Sequence, residues 1–425
     1  MSRVLALTAI EAPFRGTLIT TQLLRPLGLA RQRDPRITIV YLALVPWTFW
    51  FGLRRPWSSF TANRRNLQAL RSELTDRGIS LHVWPIAWPL LPRQFNLTAW
   101  HRILSSIGAA PALVLYLLTH RRPDLIISRS YPATLLARYA RKLFGISYIF
   151  DLRGMYPEEC VNAGVFGPDS SDYRQWKRIE HKLIAGATRC VSVSQPFADH
   201  IRSIVPDAPV DVIPCCVDPL RYTCDEARKT RVKETFGLTG RFVLLHLGSF
   251  GTPGDRGLIG KYYLRFKRVD PSAVLVVASG TPAFGPAIER ALRGEGLDPG
   301  DYRIIHPSDN EVADLLALGD AGLILERKVA NTKACLSVKL GEYLAAGLPV
   351  ICTPFVEGAA RLVEQYGCGL VIDPDADASL DKERSFLANL ARLRQNGFRL
   401  VREVLSIDRC AERWIKTINS VLGNN

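Results

Sequence analysis

A lysine and a glutamate stand three residues apart in the segment 337–351, which reads SVKLGEYLAAGLPVI. Ser337 is a favourable helix N-cap, and Gly347 followed by a proline two residues later is a common helix end. The segment therefore predicts a short helix on which Lys339 and Glu342 share one face.

The start of such a helix could bind a diphosphate. Backbone amides at Leu340 and Gly341, together with the Lys339 cation, would hold the phosphate oxygens, and Gly341 has no side chain to block them. Glu342 would then accept hydrogen bonds from hydroxyl groups such as those of a ribose. A surface ion pair between the lysine and the glutamate explains the same spacing equally well.

Strands and helices must position these residues, and the chain alternates short apolar runs with longer amphipathic ones almost throughout. The apolar runs predict strands, among them 242–247, 273–278 and 302–305, and the amphipathic runs predict helices, among them 17–31 and 380–395. Continuous apolar strands between helices indicate parallel sheets covered on both faces. The pattern resets near residues 214–228, which predicts an α/β fold of two Rossmann-like domains, 1–215 and 216–409, facing a cleft. The final helix, 410–422, is expected to pack back on the first domain.

The 337–351 segment resembles the donor-site helix of retaining glycosyltransferases of the GT-B architecture, family 4, the glycosyl transferases group 1 type. Further segments resemble the same family in the same chain order, and together they cover roughly residues 120–375. They are 123–131 (PDLIISRSY), 151–154 (DLRG) with Glu158 and Glu159, 178–180 (RIE) with 191–194 (VSVS), 212–218 (VIPCCVD) and 246–251 (HLGSFG).

The resemblance implies a transferase that uses a UDP- or GDP-sugar, retains the anomeric configuration and needs neither a metal nor another cofactor. Its implied catalytic residues are Arg256, Lys339 and Glu342. Its implied donor-binding residues are Gly248, Ser249, Gly251, Leu340 and Gly341. The residues placed on the acceptor side are Gly16, Arg129, Arg153 and Glu159.

The chain departs from the family pattern at four places. Cys215 and Cys216 stand where the linker usually has Asn-Gly. Ala334 stands where the family often has a second glutamate that contacts the donor sugar. Arg129 stands near the place of a common histidine. The glycine pair of the first loop is replaced by residues 11–16, EAPFRG.

The formal charge of +15 is distributed unevenly. Residues 1–150 hold 20 Arg or Lys and 5 Asp or Glu, and 19 of those 20 cations are arginines, whereas the rest of the chain is electrically balanced. We expect the first domain to meet something anionic. Because residues 47–51 (WTFWF) precede Arg54, Arg55 and Trp57, an anionic membrane surface is the favoured partner.

Residues 103–118 are almost free of charge, but 16 residues are too few to span a bilayer. They predict a buried or interfacial helix. No signal peptide is evident, and the nine scattered cysteines are typical of a reduced cytosolic protein. These features predict a cytoplasmic protein, peripheral on the inner membrane face, with a lipid-linked or polysaccharide acceptor.

Three other functions stay open at this point. One is a nucleotide-sugar epimerase of the same architecture, and another is a donor-binding relative without activity. The third is a nucleic-acid-binding protein, although no helix-turn-helix, zinc or RNP-like pattern occurs and we expect no nucleic-acid partner. The sequence does not identify the sugar, the acceptor or the oligomeric state.

Overall fold

The computed structural model describes residues 1–51, 56–86, 108–248, 253–308, 311–376 and 379–423. The chain divides into two compact units. The first consists of Met1–Pro214 with Cys410–Asn425, and the second of Cys215–Arg409.

A parallel sheet forms the centre of the first unit, with seven strands among the described residues. The strands are β1 (Ser2–Ala9), β2 (Ile37–Pro46), β3 (Ile79–Ile86), β4 (Leu125–Arg129), β5 (Ser147–Asp151), β6 (Arg189–Ser192) and β7 (Val210–Val212). Their order is β3-β2-β1-β4-β5-β6-β7, so the order reverses between β1 and β4. Ligands of open parallel sheets bind beyond the carboxyl ends of the strands at such a point.

Helices connect these strands. They are Arg25–Arg33, Pro56–Asp76, Ala110–Thr119, Ser130–Phe144, Tyr156–Asn162, Ser171–Gly186 and Gln195–Ile204, with a π-helical turn at Thr20–Leu24 and a 3-10 turn at Trp47–Phe49. The C-terminal helix, Ile407–Leu422, also packs on this unit: Trp414 is fully buried and Thr417 donates a hydrogen bond to Asp211 at 2.7 Å.

The second unit repeats the scheme with six parallel strands among its described residues. They are β8 (Phe242–Leu247), β9 (Ala273–Ala278), β10 (Tyr302–Ile305), β11 (Ala321–Ile324), β12 (Val350–Cys352) and β13 (Gly369–Val371). The order is β10-β9-β8-β11-β12-β13, which reverses between β8 and β11.

The helices of the second unit cover both faces of that sheet. They are Pro219–Tyr222, Glu226–Thr235, Pro253–Lys267, Gly285–Gly294, Val312–Leu318, Val338–Ala345, Glu357–Tyr366, Asp381–Ala388 and Leu390–Leu400, with a 3-10 turn at Thr332–Ala334 and a π-helical turn at Val401–Leu405. Every residue of β9 is buried, as the continuous apolar runs in the sequence predict.

Two predicted helices differ in detail from the structure. The helix predicted over residues 17–31 contains the π-helical turn Thr20–Leu24, because Pro26 has no N–H to donate and the preceding turn widens. The helix predicted over 380–395 is broken at Asn389, whose side-chain amide donates to the Ser385 carbonyl at 2.7 Å. A polar side chain that bonds the backbone in this way competes with helix continuation.

The apolar segment 103–118 is described only from residue 108 onward, where it forms the helix Ala110–Thr119. Leu113 and Tyr116 are buried, whereas Leu115 and Leu118 are exposed. None of the described helices is long and apolar enough to cross a membrane.

Candidate functional site

Lys339 lies over the end of β8 in the second unit. Gly248 follows this strand with a φ of +119°, a conformation that residues with a side chain rarely adopt. A Cβ at this position would lie 2.7 Å from Lys339 Cε and 2.8 Å from Nζ, so only glycine allows the lysine its place. The structure therefore brings Gly248 and Lys339, predicted separately, to the switch point between β8 and β11.

The helix Val338–Ala345 begins as the sequence predicts, because Ser337 Oγ accepts a hydrogen bond from the Lys339 amide at 3.3 Å. Two other residues of the predicted phosphate site make contacts within the unit. The Leu340 amide already donates to the Ser337 carbonyl at 3.1 Å. The space beside Gly341 is filled by Val217, whose Cβ would lie 3.0 Å from an added methyl group, so this glycine makes room for packing within the unit.

Glu342 is partly buried on the same helix, and its Oε1 accepts a hydrogen bond from the Tyr222 hydroxyl at 3.2 Å. Burial raises the pKa of its carboxyl, while the Tyr222 hydrogen bond and the charges of Arg221 and Lys339 lower it. The short helix Pro219–Tyr222 thus supplies partners for Glu342 that the sequence did not reveal.

His246 is a buried neighbour of this site that had no predicted role. It lies on β8, and burial together with the charge of Lys339 holds the pKa of its imidazole well below the ordinary value. The ring is therefore neutral at physiological pH, which keeps a second cation away from Lys339.

Three predicted residues of the donor side lie wholly or partly outside the described residues. Ser249 and Gly251 lie outside the described residues, and Arg256 lies on the helix Pro253–Lys267 with its side chain outside the description. Ala334, which stands where the family often has a second glutamate, is buried, and the neighbouring Lys333 is exposed to solvent.

The first unit contains a cavity of about 260 Å³ at its own switch point. The walls come from the loop after β1, the end of β4 with the start of the following helix, and the loop after β5. Its lining residues are Glu11, Leu18, Ile19, Arg129, Ser130, Tyr131, Arg153, Gly154, Tyr156 and Glu159.

A buried carboxylate positions the two arginines of this cavity. Asp151 has no exposed surface and pairs with Arg129 directly across β4 and β5. Its carboxylate lies 2.9 Å from Arg153 Nε and 3.6 Å from Arg129 Nη1. Arg153 also donates from Nη2 to the Gln22 carbonyl at 2.9 Å, which fixes its orientation.

Of the other two predicted acceptor-side residues, Glu159 lines the cavity and Gly16 does not. Glu159 is exposed at the cavity wall, and a Cβ at Gly154 would collide with its Oε1. Gly16 is exposed and does not line the cavity, so the structure does not bring it together with Arg129, Arg153 and Glu159.

Glu11 also lines the cavity, and sequence reasoning assigned it no role. Burial raises the pKa of its carboxyl; the Arg129 cation partly opposes this, and the Asp151 charge adds to it. The preceding Ile10 has a φ of +66°, and Ser130 across the cavity has a φ of +65°. These are the positive-φ residues other than glycine in the described chain, and such strain concentrates at functional sites.

Beneath the cavity, Tyr131 connects to a buried polar cluster. Its hydroxyl donates to Glu180 at 2.5 Å, and Lys177 bridges Glu180 and Glu158. Tyr173 donates to Glu158 at 3.0 Å. The floor of the cavity is thus held by hydrogen bonds in addition to packing.

The described residues contain no group of side chains suited to holding a metal ion.

Comparisons with known proteins fit this arrangement of two parallel sheets. Residues 59–216 match the family model described as Glycosyl transferase 4-like domain. None of the curated proteins matches the chain.

Solved structures resemble the whole chain. Sucrose-phosphate synthase from Thermosynechococcus elongatus has a TM-score of 0.71 at 14% identity, and 100% of each chain is covered. HepE from Anabaena in complex with UDP has a TM-score of 0.68 at 15% identity, covering 99% of this chain and 100% of its own. WaaG, a glycosyltransferase involved in lipopolysaccharide biosynthesis, has a TM-score of 0.60 at 15% identity, covering 98% of this chain and 99% of its own. The chain has the GT-B glycosyltransferase fold, as the sequence predicts.

Proposed function

We propose that this protein is a retaining glycosyltransferase that moves a sugar from a UDP- or GDP-sugar to a saccharide or lipid-linked acceptor. The observation that carries the proposal is the position of Lys339 over Gly248 at the switch point of the second sheet. The likeness of the fold to HepE, which has been solved with UDP and with UDP-glucose, supports a nucleotide-sugar donor.

The donor would bind with its diphosphate beside the Lys339 ammonium. Cleavage of the bond between the anomeric carbon and the diphosphate leaves negative charge on the phosphate oxygens, and a fixed cation stabilises that charge. Glu342, oriented by Tyr222, would accept hydrogen bonds from the ribose or sugar hydroxyls. Placed side chains of this kind need no metal ion, so we expect turnover to persist in EDTA.

The acceptor would bind in the cavity of the first unit. It lies at the carboxyl ends of β1, β4 and β5, where parallel sheets place ligands, and it is lined by Arg129, Arg153 and Glu159.

A membrane contact is proposed for an aromatic patch on the first unit, defined by Trp47, Trp50, Phe51, Trp57 and Phe60. The side chain of Trp57 is 77% exposed and that of Trp47 is 39% exposed, while Phe51 and Phe60 stack at 5.3 Å. Arg64 and Arg65 are exposed on the same helix as Trp57. Exposed tryptophans beside arginines suit the headgroup region of an anionic bilayer, and we propose a peripheral position on the cytoplasmic membrane face.

The transferase proposal is tested by nucleotide release. A panel of UDP- and GDP-sugars is incubated with the protein, with and without glycan or lipid-linked acceptors, in buffer that contains EDTA. Nucleotide release that requires an acceptor, with product of unchanged anomeric configuration, is the expected result. Interconversion of free nucleotide sugars would instead indicate an epimerase, and donor binding without turnover would contradict an enzyme.

Flotation with anionic liposomes tests the membrane contact. We expect Trp57→Ala combined with Arg64→Gln and Arg65→Gln to weaken flotation at low salt by about ten-fold or more, since each basic residue contributes about 1 kcal/mol. Arg231→Gln with Arg268→Gln is the matched control, because both are exposed arginines of the second unit. An equal loss of flotation in both variants would show that the aromatic patch is not the membrane contact.

A further inference from the structure

We propose that Glu11 binds a hydroxyl group of the acceptor, and that the cavity of the first unit receives a neutral polyol portion of the acceptor. This inference rests on the proposed function, because it names the acceptor chemistry of the same transferase. It assigns a specificity role to a residue that no motif of the chain singles out.

The backbone directs Glu11 into the cavity. β1 ends at Ala9, and the positive φ of Ile10 turns the chain so that the next side chain lines the wall. A β-branched residue adopts this conformation only at an energetic cost, which the surrounding structure must offset. The placement of Glu11 is therefore imposed by the fold.

The Glu11 carboxyl is available to a ligand. Within the described part of the chain, no residue donates a hydrogen bond to it. It does interact electrostatically with Arg129 and Asp151. A half-buried carboxyl that faces a cavity and lacks a donor is an acceptor for a ligand O–H or N–H. Sugar hydroxyls supply such donors.

The charges around the cavity argue against an anionic ligand. Arg129 and Arg153 are its two guanidinium groups, and three carboxyl groups face them, those of Glu11, Asp151 and Glu159. The cluster beneath Tyr131 adds one more cation, Lys177, and two more carboxyl groups, those of Glu158 and Glu180. Among these described side chains no positive charge is left over, and protonation of Glu11 would only make the numbers of cations and carboxylates around the cavity equal.

The arginines are also committed to partners within the unit. Asp151 is fully buried between them, and Arg153 donates to the Gln22 carbonyl. A phosphate or carboxylate ligand would have to compete with Asp151 for both guanidinium groups and would approach Glu11 with a like charge. A neutral polyol meets neither obstacle and can bond both to Glu11 and to guanidinium N–H groups.

Ligand binding to the full chain tests this inference. Saturation-transfer NMR in the presence of UDP would compare neutral methyl glycosides of glucose, galactose, mannose and N-acetylglucosamine with glucuronate, galacturonate and hexose 6-phosphates. We expect at least one neutral glycoside to bind, about ten-fold more tightly than its anionic counterpart. Glu11→Gln should lower the affinity for that neutral glycoside by about ten-fold, because a charge-assisted hydrogen bond becomes an ordinary one.

Controls separate specificity from folding. Leu18→Ala removes a lining side chain without a polar atom and should leave the preference for neutral over anionic glycosides unchanged. If Glu11→Gln does not fold, Glu11→Asp keeps the charge but withdraws the carboxyl by one methylene, and it should also lose most of the neutral binding.

Tighter binding of an anionic counterpart by the wild-type protein would overturn the inference. So would an unchanged affinity in both Glu11 variants, or the failure of every neutral glycoside to bind. The affinities of the wild-type protein for UDP and GDP distinguish this failure from that of the proposed function. Binding of either nucleotide leaves the transferase proposal standing, whereas failure to bind both contradicts that proposal instead.

Discussion

The two switch-point sites of this protein handle charge in opposite ways. In the second unit, one lysine lies over a glycine backbone, and the neighbouring histidine is kept neutral by burial. In the first unit, two guanidinium groups are matched by three carboxyl groups around one cavity. It follows that the site of the second unit suits a diphosphate, which needs a cation. The cavity of the first unit suits hydroxyl groups, which need hydrogen-bond partners of both kinds.

The same comparison changes the meaning of the excess positive charge in residues 1–150. The arginines of the cavity are balanced by carboxyl groups, so the excess lies elsewhere, for example at the exposed Arg64, Arg65, Arg121 and Arg122. This distribution favours a surface contact with an anionic partner over an anionic ligand in the cavity.

The largest expected effect comes from the buried carboxylate of the first unit. Asp151→Asn would leave Arg129 and Arg153 without their counter-charge, and breaking a buried ion pair costs about 3 kcal/mol of folding free energy. Urea unfolding should show this loss, while Asp199→Asn, which removes a solvent-exposed partner of Arg202, should cost about 0.5 kcal/mol or less. Equal costs in the two variants would mean that the Asp151 network does not hold the cavity.

Gly248→Ala should produce the next largest effect. The added methyl group would overlap the Lys339 side chain and force an unfavourable φ, so UDP affinity should fall by about 100-fold, or about 2.7 kcal/mol. Gly237→Ala is the control, since Gly237 also has a positive φ but has no atom near the added methyl group. Isothermal calorimetry with UDP would measure the affinities of both variants. An unchanged affinity in Gly248→Ala would contradict a donor site at Gly248 and Lys339.

Lys339→Met tests the cation itself. Loss of a charge-assisted contact to phosphate should weaken UDP binding by about 30-fold, or about 2 kcal/mol. Lys333→Met, at an exposed lysine that precedes the same helix, should change the affinity by less than about two-fold. Similar losses in both variants would indicate a diffuse electrostatic attraction in place of a site.

Glu11→Gln should have the smallest effect, and its sign depends on pH. Because burial raises the pKa of Glu11 above its ordinary value of 4.5, the folded protein holds this proton more tightly than the unfolded chain does. The wild-type protein therefore loses stability as pH rises from about 4.5 through the folded-state pKa.

Glutamine does not titrate, so the variant should be more stable than the wild-type protein at pH 7, by about 1 kcal/mol or less, with the difference shrinking toward pH 4. Thermal unfolding at the two pH values measures this. A variant that is less stable at pH 7 would show that Glu11 stabilises the fold and is not held for a ligand.

The sequence predicts the elements better than the sites. Largely apolar runs bounded by polar turns indicate β8, β9 and β10 with the ends that the structure has. For β8 and β9, burial on both faces of the parallel sheet demands such runs. The donor helix is also evident, because its cap, lysine, glutamate and terminal glycine are contiguous in the chain.

The cavity could not be predicted from one contiguous pattern, because its lining residues come from segments more than a hundred positions apart. The role of Glu11 depends on the positive φ of Ile10 and on the register that places Arg129 beside Asp151. Neither is encoded in a local pattern. Likewise, the contact of Gly341 with Val217 arises from tertiary packing, which the helix sequence does not reveal.

Hydrogen–deuterium exchange of the full chain with and without UDP tests the central claim most directly, namely that the second unit binds the nucleotide at Lys339. We predict protection of the peptides that cover the helix Val338–Ala345 and the end of β8, with the effect lost in Lys339→Met. Protection confined to the first unit, or no protection either at saturating UDP or at saturating GDP, would contradict the account.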